Sequence, residues 1–468
     1  MNYRVRLVFQ QNDYLNDAQD IPRAFSPILM IDEESSHFLE WKTQYVDGQF
    51  YVTISSDLWA DRSSALTISE DDPLLYKRKT KRFLKSELYN YLSKQLGIEL
   101  PYGSLTGVRP TKLFYELKSQ QKDPFGILTE EFKVSPKRAK LISDCVSNQA
   151  GVINTEPDAV AIFVNIPFCP TRCSYCSFIS TEVGRIKKEL PFYVKALVAE
   201  LENIKELIAL NEKRVTSIYV GGGTPGSIGP DNLDAILRPL AGFGVEFTVE
   251  AGRPDTINQE LADVLSKNNV SRISINPQTF KQKTLDEIGR KHTIDSIYSA
   301  YNLSKGKFFV NMDLIAGLPG ENLQDLSDSL DKTIELRPEN ITVHSLSLKR
   351  GSAMTLSGVD KVYDGKVKEM MDCSMDRLLL AGYAPYYLYR QKNTFDNLEN
   401  VGYCRSGRQC KYNIDMMEEA ITVLGAGAGA MTKIICDGMI SRFSNPKGFR
   451  EYIERQSEII EKKNNFFK

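Results

Sequence analysis

A chain of 468 residues, 42% hydrophobic and 25% charged, is too long for one ordinary core and too apolar for disorder, so two or three domains are expected, one of them large. Its 59 basic and 60 acidic side chains leave a formal charge of −1, which excludes a whole-chain electrostatic footprint for duplex nucleic acid and argues against nucleic acid as the partner. Eight cysteines are too few for a disulfide scaffold, yet three fall within eight residues; the three histidines, His37, His292 and His344, stand too far apart to suggest a histidine-built metal site.

The first residues alternate as a strand does and lack the apolar run of a signal peptide, and no stretch approaches the roughly 18 apolar residues of a membrane span. No membrane association and the reducing cytoplasm are therefore the expectation, and clustered thiols there read as metal ligands or redox groups. Residues 1–150 are expected to form an N-terminal α+β extension. Strands are predicted at Tyr3–Phe9, Pro27–Ile31 and Phe50–Ser55. A helix is predicted over Lys77–Leu96, with Leu84, Leu88, Tyr91 and Leu92 on one face, and another from Ser135-Pro136 onward. Residues 1–70 carry 5 basic and 11 acidic side chains, and residues 71–150 carry 15 and 9, a split of −6 against +6. Two complementary faces of one small domain account for this, with Lys77–Arg82 as a solvated surface; a patch for RNA or another anionic partner is the alternative.

Residues 158–350 change pattern. Apolar strands at Ala161–Ile166, Ser217–Val220, Val245–Val249, Arg272–Ile275, Phe308–Ile315 and Asn340–Ser345 alternate with helical stretches at Pro191–Leu210, Asn232–Leu240, Asn258–Ser266, Ile294–Ser304 and Leu323–Leu336. This is the signature of an α/β fold whose parallel sheet is covered by helices, lying open or curling into part of a barrel. A site is expected at the carboxyl ends of the strands. The residues that follow them are Pro167-Phe168-Cys169, Gly221–Pro225, Glu250, Asn276-Pro277-Gln278, Asp313–Gly317 and His344. Residues 351–468 hold a predicted helix (Lys366–Leu380), an aromatic stretch (Tyr383–Tyr389) and the glycine run Leu424–Ala430, and are read as an extension folded onto the barrel on its substrate side.

Cys169, Cys173 and Cys176 form a C-x₃-C-x₂-C array after the first of these strands. Three thiolates around a four-iron cubane leave one iron open to a small molecule bearing an amine and a carboxylate. A structural zinc completed by a remote Cys145, Cys404 or Cys410 is the competing assignment. Gly221, Gly223 and Gly226 also satisfy G-x-G-x-x-G, with Glu250 at a distance suited to a ribose; Pro225 and the Ser227–Pro230 tail, however, postpone the helix whose N-terminus a pyrophosphate would need.

The array followed by Phe178 resembles the radical S-adenosylmethionine superfamily, which implies a partial (β/α)6 barrel, a [4Fe-4S] cluster on Cys169, Cys173 and Cys176, and S-adenosylmethionine on the open iron. Phe247–Glu250, Ser271–Phe280, Gly289-Arg290 and Asn311–Glu321 are similar to the oxygen-independent coproporphyrinogen III dehydrogenases and their haem-chaperone relatives. Pro101–Lys112 and Val401–Glu418 look like the HemZ-type branch. The resemblance implies that Gly222, Gly223, Thr224, Glu250, Gln278, Arg290 and Asp313 contact S-adenosylmethionine, with Phe163 standing where the dehydrogenase has a tyrosine. It implies radical oxidative decarboxylation of coproporphyrinogen III propionates to vinyls in porphyrin biosynthesis, through a 5′-deoxyadenosyl radical, with an external one-electron reductant such as flavodoxin or ferredoxin. Lys349 and Arg350 are placed to meet the carboxylates of such a substrate. Two departures matter. Phe178 occupies the position of a further cysteine that the dehydrogenase needs, and Tyr412-Asn413-Ile414-Asp415-Met416-Met417 stands where the chaperone has a haem-binding histidine element. A tetrapyrrole-binding chaperone that keeps the cluster without dehydrogenase activity is therefore the alternative function.

Overall fold

Asp72 starts the long helix of the N-terminal part. Its carboxylate accepts the backbone N–H of Leu74 at 2.8 Å and of Leu75 at 3.4 Å, Pro73 occupies the first turn, and Gly97 ends the helix in the left-handed conformation at φ 66°. The helix therefore runs Pro73–Leu96, one turn longer than its apolar face predicts. Leu84, Leu88, Tyr91 and Leu92 are buried together with Val5, Leu39, Trp41, Val52 and Ile54. Those residues lie on the sheet formed by β1 (Tyr3–Phe9), β2 (Leu29–Ile31), β3 (Phe38–Val46), β4 (Gln49–Ser56) and β5 (Arg62–Thr67), in the order β2-β1-β3-β4-β5. In the basic run, Arg78 lies 2.6 Å from Glu116, and Arg82, partly buried over the Phe132 ring, joins the same carboxylate.

The computed structural model describes residues 2–9, 18–68, 72–107, 109–176, 178, 180–349, 351–357, 364–391, 394–436 and 439–467; Arg350 lies outside them. The chain divides into two compact units: Met1–Ser143 with Asp360–Lys368 and Arg390–Glu399, and Asp144–Val359 with Glu369–Tyr389 and Asn400–Lys468. Among the described residues no helix is long and apolar enough to cross a membrane.

The second unit carries six strands that run parallel in sequential order: β6 (Ala159–Ile166), β9 (Arg214–Gly222), β10 (Glu246–Gly252), β11 (Arg272–Ile275), β12 (Phe309–Ala316) and β13 (Asn340–Ser345). Between β6 and β9 a short pair, β7 (Phe168–Cys169) and β8 (Thr181–Glu182), brackets the cysteine loop. Helices Leu190–Leu210, Pro230–Leu237, Gln259–Lys267, Ile294–Ser304 and Leu323–Leu336 separate the main strands. The C-terminal residues join the sheet itself. β14 (Ala384–Arg390) and β15 (Glu399–Cys404) extend it beyond β13, whereas β16 (Thr422–Ala426) lies parallel to β6 and is followed by antiparallel β17 (Met431–Cys436) and β18 (Met439–Ser444).

This sheet is curled. β14 and β6 are seven positions apart in it, which in a flat sheet is roughly 34 Å. Yet Tyr386 and Tyr387 of β14 share one apolar cluster with Ala159 and Ala161 of β6, and Phe163 and Tyr219 pack against it. The inner face is thus a lumen floored by aromatic rings, the partial barrel expected from the strand pattern. The glycine run lies outside it as the end of β16. A Cβ on Gly425 would sit 2.5 Å from the Met431 carbonyl oxygen and one on Gly427 2.2 Å from that of Asn165, so these glycines serve close backbone packing. A buried charge pair fixes the turn. Glu200 accepts from Gly427 N (2.8 Å), Asn445 Nδ2 (2.9 Å), Tyr452 Oη (2.6 Å) and Lys463 Nζ, which also reaches Gly425 O.

Candidate active site

The cysteine loop leaves the end of β6 and is tied down on several sides. Phe168 and Cys169 pair with Thr181 and Glu182. Ser174 N donates to Ile288 O at 3.0 Å and Thr171 Oγ1 to Gly289 O at 3.0 Å. Arg253, clamped on Asp255 by two hydrogen bonds of 3.0 and 2.9 Å, donates to Thr171 Oγ1 at 2.6 Å. Cys169, Cys173 and Cys176 are all partly buried and free of disulfides. Burial pushes the thiols of Cys169 and Cys176 up, so a metal must displace their protons. The remote cysteines considered for zinc lie elsewhere: Cys404 pairs with Asn340, the first residue of β13, and Cys410 touches Glu246, the first residue of β10, both at the amino ends of the strands.

The glycine run at the end of β9 faces this loop. Gly223 N donates to Ile166 O at 2.8 Å and Thr224 N to Phe168 O at 2.7 Å, while Thr224 Oγ1 lies 3.6 Å from Cys169 Sγ. Gly222 has φ 110°, open to glycine alone without strain. The space its missing side chain leaves is taken by Asn165 Oδ1, 2.1 Å from an ideal Cβ, and a Cβ on Gly223 would strike the Phe168 backbone. The run therefore lets β9 close against the strand that delivers Cys169.

Glu250, at the end of β10, accepts the Tyr219 hydroxyl at 2.5 Å. Burial, with Asp313 nearby, pushes its carboxyl up to about 7. Asp313 on β12 is buried as well, which alone would raise it, but His344, Asn311 and Thr342 together hold it below the ordinary value. His344 Nε2 lies 3.7 Å from Asp313 Oδ2, and Asn311 Nδ2 donates to Asp313 Oδ1 at 2.7 Å. Phe163 points into the same lumen, stacked at 6.2 Å and 19° on Tyr412, which in turn stacks on Tyr219 at 4.4 Å. Met416 and Met417 pack against this aromatic cluster.

Gln278 has a left-handed backbone, φ 69°, held because its N–H donates to Asp313 O at 2.9 Å and its carbonyl accepts from Ile315 N at 3.0 Å. Its side-chain Oε1 is buried without a hydrogen-bond partner among the described residues, as are Asn276 Oδ1, Ser174 Oγ and Arg290 Nε. Arg290 is buried, donates to Asn276 O, and lies against Tyr175 and Cys173. Phe178 is 64% exposed, and Lys349 Nζ stands 5.7 Å from its ring centroid.

The expected residues thus form two adjoining groups, one around the cysteine loop (Thr224, Arg290) and one inside the lumen (Phe163, Glu250, Asp313), with Gln278 bonded through its backbone to Asp313. Sequence reasoning missed Tyr219, Tyr389 and Asn400. Tyr219 was within reach, because it lies two residues before Gly221 on a predicted strand; Asn400 and Tyr389 carry no local signal.

Residues 164–333 match the Radical SAM superfamily. The chain is 39% identical over 396 residues to the oxygen-independent coproporphyrinogen-III oxidase-like protein HemZ of Bacillus subtilis, covering 80% of this chain and 78% of that protein. It is 28% identical over 316 residues to the heme chaperone HemW of Haemophilus influenzae, covering 65% and 78%. Among solved structures, coproporphyrinogen III oxidase (HemN) from Escherichia coli, a radical SAM enzyme, superposes with a TM-score of 0.52 at 20% identity over 67% of this chain and 72% of that one. Barrel, cysteine loop and matches together define a radical SAM protein, a superfamily whose members employ an iron–sulfur cluster and S-adenosylmethionine. Within it, the chain belongs to the oxygen-independent coproporphyrinogen-III oxidase-like family that includes HemZ.

Proposed function

We propose that the chain is a radical SAM oxidoreductase that converts propionates of a coproporphyrinogen-type tetrapyrrole to vinyls. The observation that carries this reading is the set of buried side-chain atoms without partners, Gln278 Oε1, Asn276 Oδ1, Ser174 Oγ and Arg290 Nε, beside three free, partly buried thiols at the carboxyl ends of the strands. Native proteins rarely leave such atoms unpaired, so the residues fit a polar ligand at this end. Cys169, Cys173 and Cys176 would hold the [4Fe-4S] cluster, whose three-thiolate donor set leaves one iron for an amine and a carboxylate. Phe163, Gly222, Gly223, Thr224, Glu250, Gln278, Arg290 and Asp313 would hold S-adenosylmethionine. When bound, the two groups would supply reductive cleavage to a 5′-deoxyadenosyl radical, with one electron coming from an external carrier such as flavodoxin or ferredoxin; the radical takes a hydrogen atom from the propionate side chain, whose carboxylate then leaves as CO2, and the remaining electron passes to an external one-electron acceptor. The protein's part is positional. The lumen carboxylates suit an ammonium group and ribose hydroxyls, Arg290 suits a carboxylate, and the Phe163–Tyr412–Tyr219 stack keeps water from the floor of the site. Lys349 at the rim would meet a substrate carboxylate.

The second reading, a tetrapyrrole chaperone without vinyl formation, is favoured by Phe178, an exposed ring at the position where the dehydrogenases carry an additional cysteine. Anaerobically reconstituted protein given coproporphyrinogen III, S-adenosylmethionine and dithionite should yield vinyl products and 5′-deoxyadenosine by mass spectrometry. Haem uptake with a shifted Soret band and no 5′-deoxyadenosine would instead select the chaperone.

A further inference from the structure

Asn165 lies at the end of β6 and has no part in the roles assigned above. β6 pairs with β9 so that Phe163 stands opposite Tyr219 and Asn165 opposite Gly221. Side chains two apart on a strand share a face, so Asn165 joins Phe163 and Tyr219 on the lumen side. One bond orients its amide. Nδ2 donates to the Ala428 carbonyl oxygen, which only the N–H end can do, so the other end is the oxygen. That Oδ1 fills the place of a Gly222 side chain, and among the described residues nothing donates to it. The turn after β16 is held to Asn165 a second time, because Tyr193 Oη donates to Asn165 O at 2.7 Å and accepts the Ala428 N–H at 3.3 Å. Glu250 approaches the same glycines from the other neighbour of β9. The register that pairs Val249 with Val220 brings it level with Gly221, and a Cβ on Gly221 would lie 2.8 Å from Glu250 Oε2. The row Asn165–Gly221–Glu250 thus crosses three adjacent strands, its outer backbones roughly 9–10 Å apart and its middle member without a side chain.

We infer that Asn165 is a further binding residue for S-adenosylmethionine: its Oδ1 and the Glu250 carboxylate take the cofactor's α-amino group between them, over the glycine run. The inference rests on reading this end of the barrel as the S-adenosylmethionine site. An amino group brings several hydrogens and no fixed direction, so it calls for acceptors converging from more than one side. A neutral amide oxygen supplies the second acceptor without burying a second charge. The residue type follows from the other end of the amide. An aspartate would set an oxygen against the Ala428 carbonyl, and an alanine would leave both that carbonyl and the ligand's hydrogen unmet. The C-terminal turn therefore takes part in the cofactor site without touching the cofactor, by fixing which end of Asn165 faces the glycines.

The test compares S-adenosylmethionine with its deaminated analogue, in which hydrogen replaces the α-amino group, by equilibrium dialysis against the reconstituted holoprotein. The parent should prefer S-adenosylmethionine by on the order of 100-fold, and Asn165→Ala should lower that preference about tenfold by weakening S-adenosylmethionine while leaving the analogue's affinity unchanged. Asn165→Asp separates the two ends of the side chain. It keeps an acceptor over the glycines and loses the donor to Ala428, so the preference should stay at least at the parent's level while the unfolding midpoint in denaturant falls. Equal weakening of both ligands in Asn165→Ala marks a merely structural residue and overturns the inference, as does a preference unchanged in Asn165→Ala or lost in Asn165→Asp. A parent that binds both ligands equally well also overturns it and leaves the site reading intact. A parent that binds neither overturns the site reading, and the inference with it.

Discussion

The two ends of the parallel strands use buried polar groups in opposite ways. At the amino end Arg272 donates to Asn340 Oδ1, to Glu246 at 3.4 Å and to the carbonyls of Arg408 and Gln409 at 3.1 and 3.2 Å, while Cys410 and Tyr412 N also turn to Glu246. At the carboxyl end Arg290 has Asn276 O, Tyr175 and Cys173, and around it Gln278, Asn276 and Ser174 each keep a buried atom without a partner among the described residues. Both arginines leave Nε open, so the contrast lies in the surroundings and not in the residue type. At one end these buried polar groups are paired apart from the Arg272 Nε, and they hold the barrel together. The other keeps bonding capacity in reserve for a ligand, at a cost to the ligand-free fold.

The largest effect should come from the open end. Cys173→Ala should abolish the cluster spectrum after anaerobic reconstitution while leaving the fold's circular dichroism unchanged; a four-iron spectrum in this variant would remove the thiolate assignment. At the amino end, Arg272→Leu should cost about 3–5 kcal/mol in denaturant unfolding, because it strands Glu246. If unfolding is unaffected, the amino end is not the anchor described above. Glu250 gives a smaller, pH-dependent effect. Its carboxyl sits near 7 in the fold against an ordinary 4.5, so the folded state holds the proton more tightly and stability falls as pH rises between those values. Glu250→Gln should then match the parent near pH 4.5 and exceed it above about pH 7 by roughly 1–3 kcal/mol, read from unfolding curves at both pH values. The smallest stability change should be that of Gln278→Ala, within about 0.5 kcal/mol, since removing a group that has no partner strands nothing. The same variant should bind S-adenosylmethionine about tenfold more weakly by dialysis. A large loss of stability in Gln278→Ala would mean that its oxygen is already satisfied.

The six parallel strands were legible because each is largely buried and centres on apolar residues, with polar ones such as Arg272, Ser274 and Thr342 interspersed; β11 and β13 coincide with their predicted bounds. β3 and β5 were not. Phe38–Val46 interleaves Glu40, Lys42 and Gln44, and Arg62–Thr67 is two-thirds polar; both are strands because β4 pairs with them along its length. The C-terminal strands were hidden for a related reason, since Gly425 of β16 is set by the backbone of β17, and Gly427 just beyond it by that of β6. At the site, the cysteines and Glu250 followed from motif and strand end. The ion pair of His344 with Asp313 did not, because it is made across neighbouring strands by the register that sets Ile315 opposite His344, which no local spacing reveals.

The place of β16 beside β6 bears on the order in which the molecule is made. Asn165 of β6 meets Ala428 across 263 residues of sequence, and the Lys463 that anchors this turn is synthesised later still. At roughly 5–20 residues per second, translation leaves one edge of the cysteine-bearing strand unpaired for on the order of 15–50 seconds. Throughout that interval the nascent chain carries a bare strand edge beside the three thiols. An unpaired edge of this kind is prone to aggregation until the C-terminal turn is made.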